Sequence, residues 1–163
     1  MANTIHGVVR TDFMHGTNSS AGLHSVKYMV GEEFAAIDNG SVLVLDSLME
    51  GEREIWKAVA PTEGADLGKL VLIATPEVMY DERLRNLSDF YNEAGVAARG
   101  YVLHSGDIFS VTAPVLDGAE DATVGATVGV QASTKLKVGG TGLGTVIAIE
   151  TVGSLKYVVI RVN

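Results

Sequence analysis

Histidine is the residue type in this chain best suited to metal binding or acid–base chemistry, and three of the four histidines lie near the N-terminus. His6, His15 and His24 recur at an interval of nine residues, which no common metal-binding motif uses. The chain has no cysteine, so thiolate metal sites and disulfides are excluded. Hydrogen bonding is an ordinary role for such histidines, and the sequence therefore predicts no metal site and no cofactor.

The fourth histidine stands in a run that contains a hydroxyl and a carboxylate: His104, Ser105, Gly106 and Asp107. A hydrolase triad draws its nucleophile and base from separate elements of the fold, which adjacent residues on one turn do not provide. Glycine followed by aspartate is typical of a turn between strands. We therefore predict turn residues at the end of a strand and no enzymatic activity, with a small hydrolase using His104 and Asp107 as the enzymatic alternative.

Two further stretches resemble binding or catalytic motifs. Residues 140–144 are rich in glycine, but a phosphate-binding loop leads into a helix, and strands are expected on both sides here. Asp81, Glu82, Arg83 and Arg85 form a charged cluster of the kind found on solvent-exposed connectors. The sequence thus predicts a flexible turn and a connector, and no catalytic residue.

Composition limits the classes of partner. Over 163 residues the formal net charge is −8 and the pI is about 4.9, which disfavours binding to a nucleic-acid backbone. No apolar run approaches the roughly 20 residues of a membrane-spanning helix, and no basic start leads into an apolar signal segment. We therefore expect a soluble protein without nucleic-acid or membrane partners.

Glycine and β-branched residues indicate the fold class. The 19 glycines separate short runs of valine, isoleucine and threonine, a pattern typical of many short strands and tight turns. The apolar run at residues 70–74 predicts a strand buried on both faces. Residues 86–95 predict a short helix that Asn86 caps, with Asp89 three residues on, and that Gly95 ends. The expected fold is mainly β, a small sandwich or open barrel of about ten short strands with one or two short helices. It forms a single domain over residues 26–163.

Two apolar runs at the C-terminus are separated only by Gly153 and Ser154, which predicts a β-hairpin with a type II′ turn. In the predicted register Val152 lies opposite Leu155 next to the turn. One apolar face then pairs Ile149 with Val158, Ile147 with Ile160 and Thr145 with Val162. One face must belong to the core. We interpret the opposite, mixed face as a surface half covered by a neighbouring subunit, with contacts from Val146, Glu150, Tyr157, Val159 and Arg161.

The first 25 residues follow neither a helical nor a sustained strand period, and residues 16–22 are small and polar. We predict an extended N-terminal arm over residues 1–25 that a partner holds in place. Its apolar side chains are the candidate contacts: Ile5, Val8, Val9, Phe13 and Met14.

Four phrases of the sequence carry a resemblance to a known family: residues 51–58 (GEREIWKA), 74–83 (ATPEVMYDER), 104–112 (HSGDIFSVT) and 146–153 (VIAIETVG). From about residue 31 to its C-terminus the chain resembles the auxiliary head proteins of tailed bacteriophages, known as decoration or cement proteins. Residues 1–30 match no part of that family.

This resemblance implies a structural virion protein without an active site. It would be made in the host cytoplasm and lie on the outer surface of the capsid, where it binds the major capsid protein and stabilises contacts between capsid subunits. The arm is the expected capsid contact, and the mixed hairpin face is the expected contact between copies in a homo-oligomer, a homotrimer. Two alternatives stay open: another virion module such as a tail or fibre component, and a non-viral β-sandwich that binds a ligand.

Overall fold

A computed structural model describes residues 4–17, 20–81, 83 and 86–163, and short alternating apolar runs form its strands. The strands are Val9–Phe13 (β1), Leu23–Val30 (β2), Glu33–Phe34 (β3), Val42–Leu48 (β4), Ile55–Val59 (β5), Leu70–Ile73 (β6), Ala98–Val102 (β7), Ile108–Val111 (β8), Leu116–Asp117 (β9), Thr127–Gly129 (β10), Leu136–Val138 (β11), Gly142–Val152 (β12) and Leu155–Val162 (β13). In this described part, helical structure is confined to three-residue 3-10 turns: His15–Thr17, Ser20–Gly22, Leu67–Lys69, Leu87–Asp89, Ala113–Val115 and Ala119–Asp121. The prediction of a mainly β fold is confirmed.

Five strands close into a barrel. Around the ring the order is β2-β5-β4-β6-β7, and β7 pairs with β2 to complete it. Strands β2 and β5 run parallel, and the other neighbours are antiparallel. Strand β3 adds to β2 outside the ring. The barrel is therefore closed, which removes the edges that an open barrel would leave.

The remaining strands form a second sheet. Its order is β1-β8-β13-β12-β10-β11-β9, with antiparallel neighbours except for the parallel pair β11 and β9. The long C-terminal hairpin of β12 and β13 forms its centre, and β1 forms one edge. Strands from both ends of the chain thus belong to one sheet.

Two apolar cores hold the barrel and the sheet. One fills the barrel and includes Val26 and Leu43. The other lies between the barrel wall and the sheet and includes Phe109 and Ile160. Strand β6 contributes to both, because its alternate residues point into the barrel and towards the sheet, and all of Leu70–Ile73 are 0% exposed. The predicted strand buried on both faces is confirmed.

The C-terminal hairpin turns at Gly153, whose φ is 61°, whereas Ser154 has no positive φ. This combination is the one a type II′ turn requires. The predicted register holds from the turn as far as Ala148, which lies opposite Val159. The sequence therefore predicted the turn and the half of the hairpin next to it.

Beyond Ala148 the predicted register is wrong, because a β-bulge at Ile147 shifts the pairing by one residue. Val146 rather than Ile147 lies opposite Ile160, and Thr145 lies opposite Arg161. Val146 is consequently buried in the core, and Ile147 is partly exposed. A bulge inserts one unpaired residue and reverses the faces that follow.

The predicted helix over residues 86–95 is also wrong. Only Leu87–Asp89 is helical, although the predicted capping box between Asn86 and Asp89 is present. Phe90 is already extended, and Asn92 forms a β-bridge with Ile37. A helix of barely two turns is not stable alone, so these tertiary hydrogen bonds determine the local structure. None of the helical turns in the described ranges is long or apolar enough to cross a membrane.

The N-terminal segment is part of the β structure rather than a separate arm. Strand β1 pairs with β8, and the hydroxyl of Thr112 accepts a hydrogen bond from the Val8 amide at 2.9 Å. Strand β2 begins at Leu23, before the predicted boundary at residue 26. Residues 1–3, 18 and 19 of the predicted arm lie outside the described residues. Val9 and Met14 tie this segment to the sheet because their side chains are buried in the core between the sheet and the barrel.

Candidate functional site

The connection between β6 and β7, residues 74–97, is the longest one without strands in the described part of the chain. A connection of this length inside a small domain is uncommon and is usually functional. Its regular structure, where described, is limited to the turn Leu87–Asp89. This loop is therefore the candidate functional region of the molecule.

A buried polar network fixes the base of the loop. The side-chain amide of Asn39 donates to the carbonyl of Thr75 at 2.8 Å and accepts from the Thr75 amide at 3.0 Å. Asn92, on the returning side, donates to the carbonyl of Ile37 and to the side-chain oxygen of Asn39, both at 3.1 Å. Both asparagines are buried. Buried hydrogen bonds of this kind are costly to break, so the two ends of the loop are held rigidly.

The N-terminal segment supports the same loop from outside. The ring of His6 stacks on that of Tyr91 with 4.7 Å between the centroids. Its Nδ1 lies 2.7 Å from a carboxylate oxygen of Asp38, and its backbone amide donates to the carbonyl of Ser88 at 2.9 Å. His6 is therefore a structural residue that fixes the returning side of the loop.

The two sides of the loop enclose a groove of about 570 Å³, which we call the loop groove. It is lined by Thr75, Pro76, Val78, Met79, Tyr80, Asp81, Asp89, Phe90, Tyr91, Asn92, Glu93, Val96 and Ala97. Several of its apolar side chains are exposed, and Tyr80 is 95% exposed. The groove thus combines a fixed base with an apolar surface open to solvent.

Three carboxylates line the loop groove, and no lysine or arginine does so among the described lining residues. Arg83 binds the Asp81 carboxylate, with its Nη2 2.7 Å from Oδ2. The hydrogen bonds from the Arg83 side chain and backbone lower the pKa of Asp81 from 3.8 to about 2. Asp89 accepts the Asn86 amide at 3.1 Å. Glu93 is exposed and has no ion-pair partner within the described ranges.

The candidate arm contacts separate into two groups. Val8, Val9 and Met14 are buried, and Met14 is only 1% exposed. Their prediction as capsid contacts is corrected by this burial, because the side chains already pack within the molecule. Ile5 and Phe13 remain accessible, and Phe13 is 72% exposed.

The candidate subunit contacts of the hairpin separate in the same way. Val146, Tyr157 and Val159 are buried, and this corrects their prediction as an open contact surface. The bulge turns Val146 inward, and burial raises the pKa of Tyr157. Glu150 and Arg161 are exposed.

A side chain of β1 covers the mixed hairpin face. Arg10 lies over the ring of Tyr157 at 5.5 Å from its centroid, and its Nη1 donates to the Glu150 carboxylate at 2.9 Å. A shallow groove of about 210 Å³ remains on this face, lined in part by Phe13 and Ile147. The face that was expected to meet a subunit is thus partly covered by the chain's own N-terminal strand.

The residues of the hydrolase alternative make structural contacts. The two oxygens of Asp107, a buried residue, accept the backbone amides of His15 at 2.6 Å and His104 at 2.9 Å. The nearer ring nitrogen of His104 is 3.9 Å from that carboxylate, which is too far for a hydrogen bond. This aspartate joins the N-terminal segment to the β7–β8 turn. No group of three potential metal ligands occurs in the part of the chain that is described.

Sequence reasoning missed the loop groove. It assigned residues 81–85 to a charged connector and residues 86–95 to a helix, and Glu82 and Arg85 lie outside the described residues. The exposed apolar residues Val78 and Tyr80 are the signal that could have identified the surface, because they follow Pro76 in a stretch that fits neither helix nor strand.

Comparison of the chain with protein-family models, with curated proteins and with solved structures found no match.

Proposed function

We propose that this protein is a head decoration protein of a tailed bacteriophage. In this proposal it binds the major capsid protein on the outer surface of the capsid, stabilises contacts between capsid subunits and acts as a homotrimer. The observation that carries the proposal is the loop groove, an exposed apolar surface on a fixed base.

Exposed apolar surface supports a docking role. Contiguous apolar patches on a protein surface commonly mark interaction sites. Here Val78, Tyr80 and Val96 are each more than half exposed, and the Asn39 network holds the ends of the loop that carries them. A loop whose ends are already held loses less conformational entropy on binding than a free segment does.

The resemblance to decoration proteins points to the same surface. One of the resembling phrases is residues 74–83, and its residues 75, 76 and 78–81 form one side of the loop groove. A second, residues 104–112, contains the turn at Asp107 and strand β8. The resemblance at residues 74–83 therefore supports the loop groove as the contact with the shell. The resemblance at residues 104–112 supports a β scaffold like that of the decoration proteins.

Contacts between copies fit the outer face of the seven-stranded sheet. Phe13 and Ile147 expose apolar atoms there, with Glu150 and Arg161 nearby as charged residues. An oligomer placed across several capsid subunits sums modest contacts into avidity. The net charge of −8 favours a position outside the shell, away from packaged DNA.

Sedimentation tests the proposal. Purified protein is mixed with undecorated shells and with mature virions from the phage that encodes it, after its mass in solution has been measured. The proposal predicts a trimer that co-sediments with the undecorated shells and saturates at a fixed number of copies per shell. A monomer that stays in the supernatant at every concentration contradicts it, and immunogold labelling of virions on tails instead of heads would support the tail alternative.

A further inference from the structure

The loop groove has an aromatic residue placed as an anchor. Tyr80 is 95% exposed, and Val78 on the same side of the loop is 60% exposed. Tyrosine is enriched among the residues that contribute most to protein–protein binding, because it buries a large area and loses few rotamers. Tyr80 lies five residues after Thr75, which Asn39 holds at the base of the loop, and its exposed ring fits such an anchor.

The main chain beside this anchor is available for pairing. Within the described ranges, Met79 and Tyr80 make no backbone–backbone hydrogen bond through their N–H or C=O groups. Val78 donates only to the nearby carbonyl of Pro76 at 2.9 Å. Unpaired main chain next to an apolar groove favours an extended ligand, which supplies the missing hydrogen bonds and places alternate side chains in the groove.

The charge of the groove selects among extended ligands. Asp81, Asp89 and Glu93 line it, and Arg83 pairs with Asp81. Glu93 would lie beside a bound segment without an opposing charge from the described chain. A second copy of this protein is a poor occupant because it carries 20 acidic and only 12 basic residues.

We propose that the loop groove binds an extended segment of a different protein, in which apolar residues that pack on Tyr80 and Val78 are followed by lysine or arginine that pairs with Glu93. This inference rests on the proposed function for the identity of the partner, which is then a segment of the shell subunit. The chemistry of the segment is inferred from the groove alone.

Peptide binding tests the chemistry. The probes are two hexapeptides, one alternating leucine or phenylalanine with lysine and the other carrying glutamate in place of each lysine. Each is titrated into uniformly ¹⁵N-labelled full-length protein and followed by amide chemical shifts. We expect the lysine peptide to shift residues of the loop groove and to bind about tenfold more tightly than the glutamate peptide at low salt. Equal affinities, or shifts confined to other surfaces, would overturn the inference.

Matched variants test whether Tyr80 and Glu93 contact the peptide. Tyr80→Ala is expected to weaken the lysine peptide about tenfold, whereas Val124→Ala, at an exposed apolar residue outside the groove lining, leaves its affinity unchanged. Glu93→Lys is expected to weaken it about fivefold, and Glu120→Lys, at another exposed acid, is the control. Thermal unfolding shows whether each variant is folded, and Tyr80→Leu replaces Tyr80→Ala if the latter is not. Equal losses in the paired variants would contradict the assignment.

Shell binding separates this inference from the proposed function. If the wild type co-sediments with undecorated shells and Tyr80→Ala and Glu93→Lys do so equally well, the groove is not the shell contact and the inference is wrong while the function stands. If the wild type does not co-sediment, the function is wrong, and the peptide titrations alone decide what the groove binds.

Discussion

The N-terminal segment and the β6–β7 loop differ in how they use apolar residues. Val8, Val9 and Met14 of the N-terminal segment are buried, and the last two belong to the core between the sheet and the barrel. Val78 and Tyr80 follow Thr75, which Asn39 holds at the base of the loop, and their side chains are exposed to solvent. The apolar side chains Val9 and Met14 of the N-terminal segment are thus used for folding. Val78 and Tyr80 of the loop remain accessible to a partner.

Deletion of residues 1–25 tests this difference with the largest expected effect. It removes β1 and the start of β2, so we expect a loss of more than about 5 kcal/mol, comparable with the total stability of a typical domain. Circular dichroism should show an unfolded or aggregated chain. A truncated protein that unfolds at the same temperature as the full chain would mean that the segment is dispensable for folding.

Substitutions at Met14 and Phe13 compare a buried side chain with its exposed neighbour in the same segment. Met14→Ala should lower the free energy of unfolding by about 2–5 kcal/mol because it opens a cavity in the core. Phe13→Ala, at the exposed neighbour, should change it by no more than about 0.5 kcal/mol. Urea unfolding measures both, and similar values for the two variants would contradict the alternation of buried and exposed residues.

Substitution of the asparagine that fixes the loop should lower the free energy of unfolding less than Met14→Ala does. It should also make the loop itself more mobile. Asn39→Ala leaves the amide and the carbonyl of Thr75 without their partner, at a cost of about 1–3 kcal/mol. Hydrogen exchange should accelerate in residues 74–81 and not in β12 or β13. Unchanged exchange in the loop would show that another contact fixes it.

The smallest effect concerns pH. Because the pKa of Asp81 is lowered to about 2, its ion pair with Arg83 is complete above pH 3.8 and is lost as the pH falls through about 2. The pair is exposed, so little stability depends on it. Carbon-13 NMR of the carboxylate should give a midpoint near 2 in the wild type and a higher midpoint, still below 3.8, in Arg83→Ala, because the backbone amide of residue 83 keeps its hydrogen bond to Asp81. A wild-type midpoint near 3.8 would mean that Asp81 and Arg83 do not pair in solution.

The sequence predicted those features of the fold that depend only on neighbouring residues. Gly153 predicted the turn, and the apolar run at residues 70–74 predicted a strand buried on both faces. The bulge at Ile147 could not be predicted, because no residue there requires it and its position depends on pairing with β13. The same reason applies to Val146 and Tyr157, whose burial depends on the bulge and on Arg10.

The loop groove could not be predicted either, because it depends on contacts between residues that are far apart in the sequence. Asn86 and Asp89 form the capping box that the sequence indicates, yet the helix stops because Asn92 pairs with Ile37 from a distant part of the chain. The network of Asn39 and Asn92 brings together residues that are far apart in sequence. Only the exposed character of the loop's apolar residues was open to inference from its pattern.

Hydrogen exchange of the protein bound to undecorated shells, compared with the free protein, shows which of the two regions contacts the shell. We expect slower exchange in residues 74–97 on binding and no change in β1, Val9–Phe13. Protection of β1 together with an unchanged β6–β7 loop would contradict this expectation.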